Sequence, residues 1–144
     1  MPIIHASCVE FMGKGLLICG EPASGKSDLC LRLTDIGARL VADDQTKIEN
    51  IDGKLIASCP EKLRGLLEVR GIGIVETPFI QKTEIHLKLI LQAREKIDRM
   101  PESRTEMVES FQIPVLSLDA FEASAISKIK TFLQIQNGQR KVLA

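Results

Sequence analysis

One octapeptide constrains the fold of this chain more than any other stretch: Gly20-Glu21-Pro22-Ala23-Ser24-Gly25-Lys26-Ser27. It matches the phosphate-loop (P-loop) pattern G-x-x-x-x-G-K-[ST] at every fixed position. An apolar run precedes it and a segment with helical spacing of apolar residues follows it, which predicts a strand, a loop and a helix. We therefore expect these eight residues to form a loop that binds phosphate, with backbone N–H groups of the loop and of the following helix N-terminus as donors. A glycine-rich turn without a ligand is the alternative.

Composition narrows the class of protein. The 144 residues are 44% hydrophobic and 26% charged, as in a single soluble domain. The 19 basic and 19 acidic residues cancel, and only 3% of the residues are aromatic. Both features argue against nucleic acid as a partner. We find neither an apolar run of transmembrane length nor a signal-peptide pattern, so we expect no membrane association.

The four cysteines are Cys8, Cys19, Cys30 and Cys59, and no pair has the C-x-x-C spacing. All but Cys59 fall in predicted strands or in the predicted helix. We interpret them as reduced core residues of a cytoplasmic protein. A metal site is the less favoured interpretation.

Two segments around the P-loop suggest how the site is completed. Residues 2–11 are predicted to form one strand, which contains His5, and to pair with residues 15–19 in a hairpin. Such a hairpin departs from an ordinary doubly wound nucleotide fold. After the P-loop helix, the apolar strand Arg39–Ala42 ends in Asp43-Asp44. Acids at that place are typical of a Walker B carboxylate near the metal, although they also form ordinary turns.

The segment 66–75 combines charge with apolar residues. We predict one strand, in which Glu68 and Arg70 are costly unless they are paired or hydrated, and in which two glycines indicate close approach of a backbone or ligand. Both side chains are therefore expected at or near the nucleotide and metal site. A buried Glu68–Arg70 pair or a barrel-like bend of the strand is the alternative.

The rest of the chain is predicted from alternation, turn signals and capping signals. Further strands are expected at residues 47–51, 54–58, 83–92 and 113–118. The strongly charged residues 93–112 are expected to be a mobile or partly helical excursion. Asp119-Ala120-Phe121-Glu122 has the pattern of a capping box, so we expect the last helix to begin there with Phe121 on its apolar stripe. Residues 137–144 are expected to be frayed.

Four blocks together suggest a family. They are His5, fifteen residues before the P-loop, then Gly20–Ser27, then residues 39–44, and finally Leu67-Glu68-Val69-Arg70-Gly71-Ile72-Gly73-Ile74. In order and spacing the chain resembles the catalytic domain of bacterial HPr kinase/phosphorylase throughout residues 1–100. It looks like the short form found in alphaproteobacteria, because the family's additional N-terminal domain and its Pro-Gly-Arg-Asn stretch are missing.

The resemblance implies a single P-loop kinase domain over residues 1–144. The implied fold class is α/β, a mixed β-sheet with flanking helices and an embedded P-loop, related to phosphoenolpyruvate carboxykinase. The implied activity is ATP- and Mg²⁺-dependent phosphorylation of a serine of HPr, the phosphocarrier protein of the sugar phosphotransferase system. Phosphorolysis of phosphoserine-HPr and a homo-oligomer, a hexamer in the family, are implied as well.

The resemblance also implies catalytic roles. By position, Asp43 would be the general acid/base, helped by His5, and Lys26 would contact the β- and γ-phosphates. This arrangement suits phosphoryl transfer, which depends mainly on positioning and on neutralisation of charge.

The remaining implied roles concern the metal and the partner. Ser27, Asp44 and Glu68 would lie at the metal, while Arg70 and Arg99 would contact phosphate or the partner. Two other functions stay open on the same P-loop: a small-molecule kinase, and a non-catalytic ATP-sensing signalling module.

Overall fold

The computed structural model describes residues 2–144 of the chain. Its elements are β1 (Ile3–Ile4), β2 (Ser7–Phe11), β3 (Lys14–Gly20), α1 (Lys26–Asp35), β4 (Arg39–Ala42), β5 (Thr46–Ile51), β6 (Lys54–Ser58), β7 (Leu66–Val69), β8 (Gly73–Glu76), β9 (Lys82–Leu91), β10 (Thr105–Val108), β11 (Phe111–Leu118) and α2 (Ala125–Gln136), with short 3₁₀ turns at Glu61–Leu63 and Arg94–Lys96. Within the described range, no helix combines the length and apolarity that crossing a membrane requires.

A nine-stranded mixed sheet organises the molecule, and β7–β8 form a separate hairpin. The main order is β1-β5-β6-β9-β3-β2-β4, with β11 beside β9 and β10 beside β11. Strands β3 and β11 are parallel to β9. Since β4 is antiparallel to β2, and β2 to β3, β4 also runs in the direction of β3. The carboxyl ends of β3, β4, β9 and β11 therefore meet at one edge of the sheet.

The core lies on both faces of this sheet. Helices α1 and α2 pack on one face, where they bury Leu29, Leu33, Ile129 and Leu133 against strand residues such as Leu87. A second cluster on the other face contains Leu17, Val41, Ile48, Leu55 and Ile85. Burial of apolar area on this scale is the main term that stabilises a domain. The predicted mixed α/β class with flanking helices is thus confirmed.

The predicted hairpin before the P-loop is present, but its first strand is interrupted. Residues 2–11 divide into β1, which pairs with β5, and β2, which pairs with β3. The interruption falls at His5 and Ala6. A continuous strand would have kept His5 in the sheet, whereas the break leaves its side chain exposed at the edge that carries the P-loop.

The prediction of one strand over residues 66–75 was wrong. The chain reverses after β7 and returns as β8, with Leu67 opposite Val75 and Val69 opposite Gly73. Gly71 adopts φ 89°, a left-handed conformation that glycine takes without strain. The backbone N–H of Ile72 donates to the carbonyl of Val69 at 3.0 Å, which closes the turn.

Two further predictions need correction in the C-terminal third. The only helical part of the excursion expected over 93–112 is one 3₁₀ turn. The second half of this segment forms β10 and the start of β11, because Thr105–Val108 pairs with the strand that follows it. The last helix begins at Ala125, not at the expected capping box. Asp119 instead accepts a hydrogen bond from the backbone N–H of Phe121 at 2.9 Å, so it forms a tight turn that ends before the helix.

Candidate functional site

The P-loop occupies the carboxyl end of β3, where the sequence placed it. Gly25 stands immediately before α1 with φ 98°, in the left-handed region that favours glycine. None of the described side chains caps this helix with a hydrogen bond. The first N–H groups of α1 are therefore available to an anion, which the helix dipole also attracts.

Lys26 brings a positive charge into the loop. Its side chain is only 8% exposed, and its Nζ donates to the carbonyls of Gly20 and Glu21 at 2.9 and 3.2 Å. The Ser24 hydroxyl is buried nearby without a hydrogen-bond partner among residues 2–144. Because a buried charge and a buried orphan hydroxyl are both costly, these groups fit a site that receives phosphate oxygens.

Asp43 ties the P-loop to the end of β4. Its Oδ1 accepts hydrogen bonds from the hydroxyls of Ser27, at 2.8 Å, and Ser7, at 2.9 Å. Its Oδ2 accepts from the backbone N–H of Glu68 at 3.1 Å. Three donors on one half-buried carboxylate fix its orientation. Asp43 therefore joins the P-loop, β2 and the β7–β8 hairpin.

Asp44 points in a different direction and pairs with His5. The His5 Nε2 contacts Asp44 Oδ1, and the two side chains are 64% and 58% exposed. Asp44 has φ 69°, a left-handed conformation that costs most residues but that Asp and Asn tolerate comparatively well. Such backbone strain is common at functional sites. In this protein the left-handed backbone directs the Asp44 side chain into the cleft, whereas Asp43 remains hydrogen-bonded to Ser27 of the P-loop.

Ser7 is a site residue that sequence reasoning missed. It is fully buried; its hydroxyl donates to Asp43 and accepts from the backbone N–H of Asp44 at 3.0 Å. The pairing of β2 with β4, in which Cys8 opposes Ala42, brings it there. A polar residue two places after His5 in an apolar strand was the available signal, but its meaning depends on the register between strands that are distant in the sequence.

A cleft of about 480 Å³ collects most of the expected residues. It is lined by His5, Pro22, Ala23, Gly25, Lys26, Ser27, Asp28, Leu31, Asp44, Glu68, Val69, Arg70 and Phe121. Glu68, on β7, and Arg70, in the turn that follows β7, lie on the same cleft as Ser27. Arg99 is exposed in the loop before β10 and does not line the cleft, so the fold does not bring it to the P-loop.

The metal expectation can be compared with the side chains present. Among residues 2–144, no three His, Cys, Asp or Glu side chains are grouped closely enough to hold a metal by themselves. Mg²⁺ is usually held by one or two carboxylates together with substrate phosphates and water. Ser27 and Asp43 supply hard oxygen donors beside the P-loop, so this donor set fits Mg²⁺ in the presence of a bound phosphate.

The four cysteines are free thiols, and Cys8, Cys30 and Cys59 are buried. Burial raises the pKa of the Cys30 thiol, and the nearby charge of Asp43 raises it further. Burial likewise raises the pKa of Cys8, Cys19 and Cys59. All four therefore stay protonated at neutral pH, as expected of reduced core residues.

Comparison with known proteins places this geometry in a family. The family model described as HPr serine kinase C-terminal domain matches residues 2–133. A solved structure of the HPr(Ser) kinase/phosphatase from Coxiella burnetii superposes with a TM-score of 0.86 at 28% sequence identity, covering 96% of this chain and 98% of that one.

Two curated relatives, both named HPr kinase/phosphorylase, match parts of the chain. The protein from Clostridium tetani is 49% identical over 77 residues, which are 54% of this chain and 25% of the relative. The protein from Clostridium novyi is 43% identical over 96 residues, 62% of this chain and 31% of the relative. The chain thus spans about a quarter to a third of the length of these relatives. With the family model matched over residues 2–133, this chain belongs to the HPr serine kinase C-terminal domain family.

Proposed function

We propose that this domain uses Mg-ATP to phosphorylate a serine hydroxyl of the phosphocarrier protein HPr. One observation carries the proposal: a P-loop bonded through Ser27 to Asp43, with the Asp44–His5 pair in the same cleft. The names of the relatives, HPr kinase/phosphorylase and HPr(Ser) kinase/phosphatase, supply the acceptor.

The phosphates would be held by the P-loop. The N–H groups at the start of α1 and the ammonium of Lys26 neutralise charge on the transferred group, which is the main requirement of phosphoryl transfer. Mg²⁺, held from the protein side by Ser27 with Asp43 and Glu68 nearby, would withdraw charge from the phosphate oxygens. The serine oxygen then forms a bond to the terminal phosphorus, while the bond from that phosphorus to the leaving ADP oxygen breaks.

Asp44 is proposed to accept the proton of the attacking hydroxyl. This exchanges the roles that the sequence suggested for the two acids. Asp43 already accepts three hydrogen bonds, one of them from Ser27, so it is suited to the metal side. Asp44 lies in the cleft beside His5, where the imidazole can orient the carboxylate and share the proton. Arg70, also on the cleft, is proposed to contact phosphate.

The reverse reaction is proposed to use the same groups. Protonated Asp44 would return its proton to the serine oxygen as inorganic phosphate attacks the phosphoserine phosphorus, yielding pyrophosphate and free HPr. The names of the curated relatives as kinase/phosphorylase support this direction.

Incubation of the protein with HPr and Mg-ATP, followed by mass analysis of HPr, tests the proposal. Phosphoserine on HPr is the expected result, with the Lys26→Ala variant as the inactive control. ATP binding without phospho-HPr would indicate a nucleotide-sensing module instead. ADP release that depends on an added metabolite, with HPr unmodified, would indicate a small-molecule kinase.

A further inference from the structure

Phe121 presents an aromatic ring beside the P-loop. The side chain is 67% exposed and lies in the turn between β11 and α2. A Cβ atom built on Gly25 would lie 3.2 Å from the Cζ and 3.3 Å from the Cε1 of the ring. Together with Pro22, Leu31 and Val69, the ring supplies an apolar part of the cleft lining. None of the phosphate, metal or proton roles described above uses it.

The turn that carries the ring is closed by an internal hydrogen bond and anchored to two other parts of the fold. Asp119 accepts hydrogen bonds from the backbone N–H groups of Phe121, at 2.9 Å, and of Arg94, at 3.2 Å. The neighbouring Ala120 is 1% exposed, and its carbonyl accepts from the guanidinium of Arg32 on α1. The ring therefore projects from a fixed loop on a rigid scaffold, which is how binding residues are commonly presented.

The ring and the acids lie on different sides of α1. Ser27 faces Asp43, whereas Arg32, which is paired with Asp28 at 3.1 Å, faces the turn of Phe121. Consecutive helical residues differ by about 100° around the axis, so Ser27 and Asp28 point to separate sides. If the terminal phosphate of a bound nucleotide lies on the side of the acids, the ribose and base can extend toward the ring.

We propose that Phe121 forms the nucleobase subsite of this domain by stacking on the base of the bound nucleoside triphosphate. This rests on the proposed function, because it assumes that the P-loop holds the phosphates. Every base has a π-face, so stacking on an aromatic ring tolerates any of them. The ring thus distinguishes a nucleotide from inorganic polyphosphate, and it discriminates little between adenine and guanine.

Calorimetric binding of ATP and of inorganic triphosphate tests the subsite. Phe121→Ala is expected to weaken ATP binding about tenfold, the scale of one base–aromatic stack, and to leave triphosphate binding unchanged. Met107→Ala is the matched control, because Met107 is an apolar side chain, 59% exposed on β10 and outside the cleft lining. This control should bind both ligands as the wild type does.

Phe121→Trp gives a second readout, since the chain contains no other tryptophan. ATP and GTP should both quench its fluorescence, while triphosphate should not. The subsite is refuted by equal ATP affinity in the wild type and Phe121→Ala, or by equal losses for ATP and triphosphate. A raised KM for HPr with unchanged ATP affinity would also refute it, by assigning the ring to the acceptor protein. Wild-type protein that binds neither ligand would instead contradict the proposed function itself.

Discussion

Ser27 donates a hydrogen bond to Asp43, with 2.8 Å between Oγ and Oδ1. The bond connects the last residue of the P-loop to the first residue after β4, and the same carboxylate oxygen also accepts from Ser7. The phosphate-binding loop, Asp43 and Ser7 are therefore one hydrogen-bonded unit. We expect substitutions in this unit to change metal dependence, and substitutions in the Asp44–His5 pair to change proton transfer.

Lys26→Ala should remove the charge that the P-loop directs at phosphate. Hydrogen bonds to charged groups contribute about 1.5–3 kcal/mol, so ATP affinity should fall between about tenfold and a hundredfold, and HPr phosphorylation should fall with it. Calorimetry with ATP measures the effect, and Lys130→Ala, at an exposed position of α2, is the control. Unchanged ATP affinity in Lys26→Ala would contradict the assignment.

Replacing each acid by asparagine separates their roles. Asp44→Asn keeps the size and tolerates the left-handed φ of 69°, but it cannot take a proton. It should bind Mg-ATP normally while transfer falls by roughly 10² or more. Asp43→Asn loses a charge beside Ser27 and should raise the Mg²⁺ concentration needed for half-maximal rate.

Phosphorylation rate against Mg²⁺ concentration measures both variants. If excess Mg²⁺ restores Asp44→Asn and not Asp43→Asn, the roles are the opposite of those proposed here and agree with the order suggested by the sequence.

Ser7→Ala should impair the site without touching a ligand. The substitution removes the acceptor of the Asp44 backbone N–H and one of the two donors to Asp43 Oδ1. An unsatisfied buried polar group costs about 1–3 kcal/mol of stability. Because Ser7 orients Asp43, the apparent Mg²⁺ affinity should fall by roughly tenfold or more. Urea unfolding and the Mg²⁺ dependence of the rate are the measurements.

Thr46→Val is the matched control for Ser7→Ala. Thr46 is also buried, and its hydroxyl donates to the carbonyl of Ala6 at 2.7 Å, with no bond to either acid. It should lose comparable stability and keep the wild-type Mg²⁺ dependence. If both variants show the same Mg²⁺ dependence, Ser7 contributes to stability alone and does not position Asp43 for the metal.

The buried thiols predict loss of stability at alkaline pH. Burial raises the pKa of Cys8 and Cys30 in the folded protein, so above the ordinary pKa of a thiol the unfolded chain releases protons that the folded protein retains. The free energy of unfolding should therefore fall as the pH rises, on the order of 1 kcal/mol per pH unit for each such thiol.

Urea unfolding at about pH 7.5 and about pH 10 measures this loss, a range that spans the ordinary thiol pKa. Replacing Cys30 by alanine should make the stability less dependent on pH in this range. An identical dependence in the variant and the wild type would exclude the thiol as its source. Native protein should also resist alkylation at Cys8 and Cys30, both of which are fully buried.

Local sequence rules predicted the elements nearest to the P-loop. The strand, loop and helix around Gly25 follow from apolar period and glycine placement, and the strands expected at 47–51 and 54–58 follow from alternation and turn signals. Such signals act over a few residues, so their outcome does not depend on distant packing. The same holds for the placement of Asp43 and Asp44 at the end of a buried strand.

Signals that required a partner segment were misinterpreted. The apolar run 66–75 resembled one strand because periodicity alone does not show where a chain reverses, and the glycines at 71 and 73 were taken as sites of close approach. The pattern at 119–122 resembled a capping box, but the hydrogen bond that the backbone N–H of Arg94 donates to Asp119 holds this segment in a turn beside α1. A local turn at Gly71 decided the first case, and a tertiary contact decided the second.

The sequence alone determined that this chain has a P-loop, two acids at the end of the next strand along the chain, and a mixed α/β fold. Only the tertiary structure decided which acid faces the cleft, because the direction of Asp44 depends on its left-handed backbone. The tertiary structure also brings Ser7 and Phe121 to the site. The position of Ser7 depends on the register of β2 against β4, and that of Phe121 depends on the packing of its turn against α1. Register and docking are relations between segments far apart in the chain, and residue types at one position do not encode them.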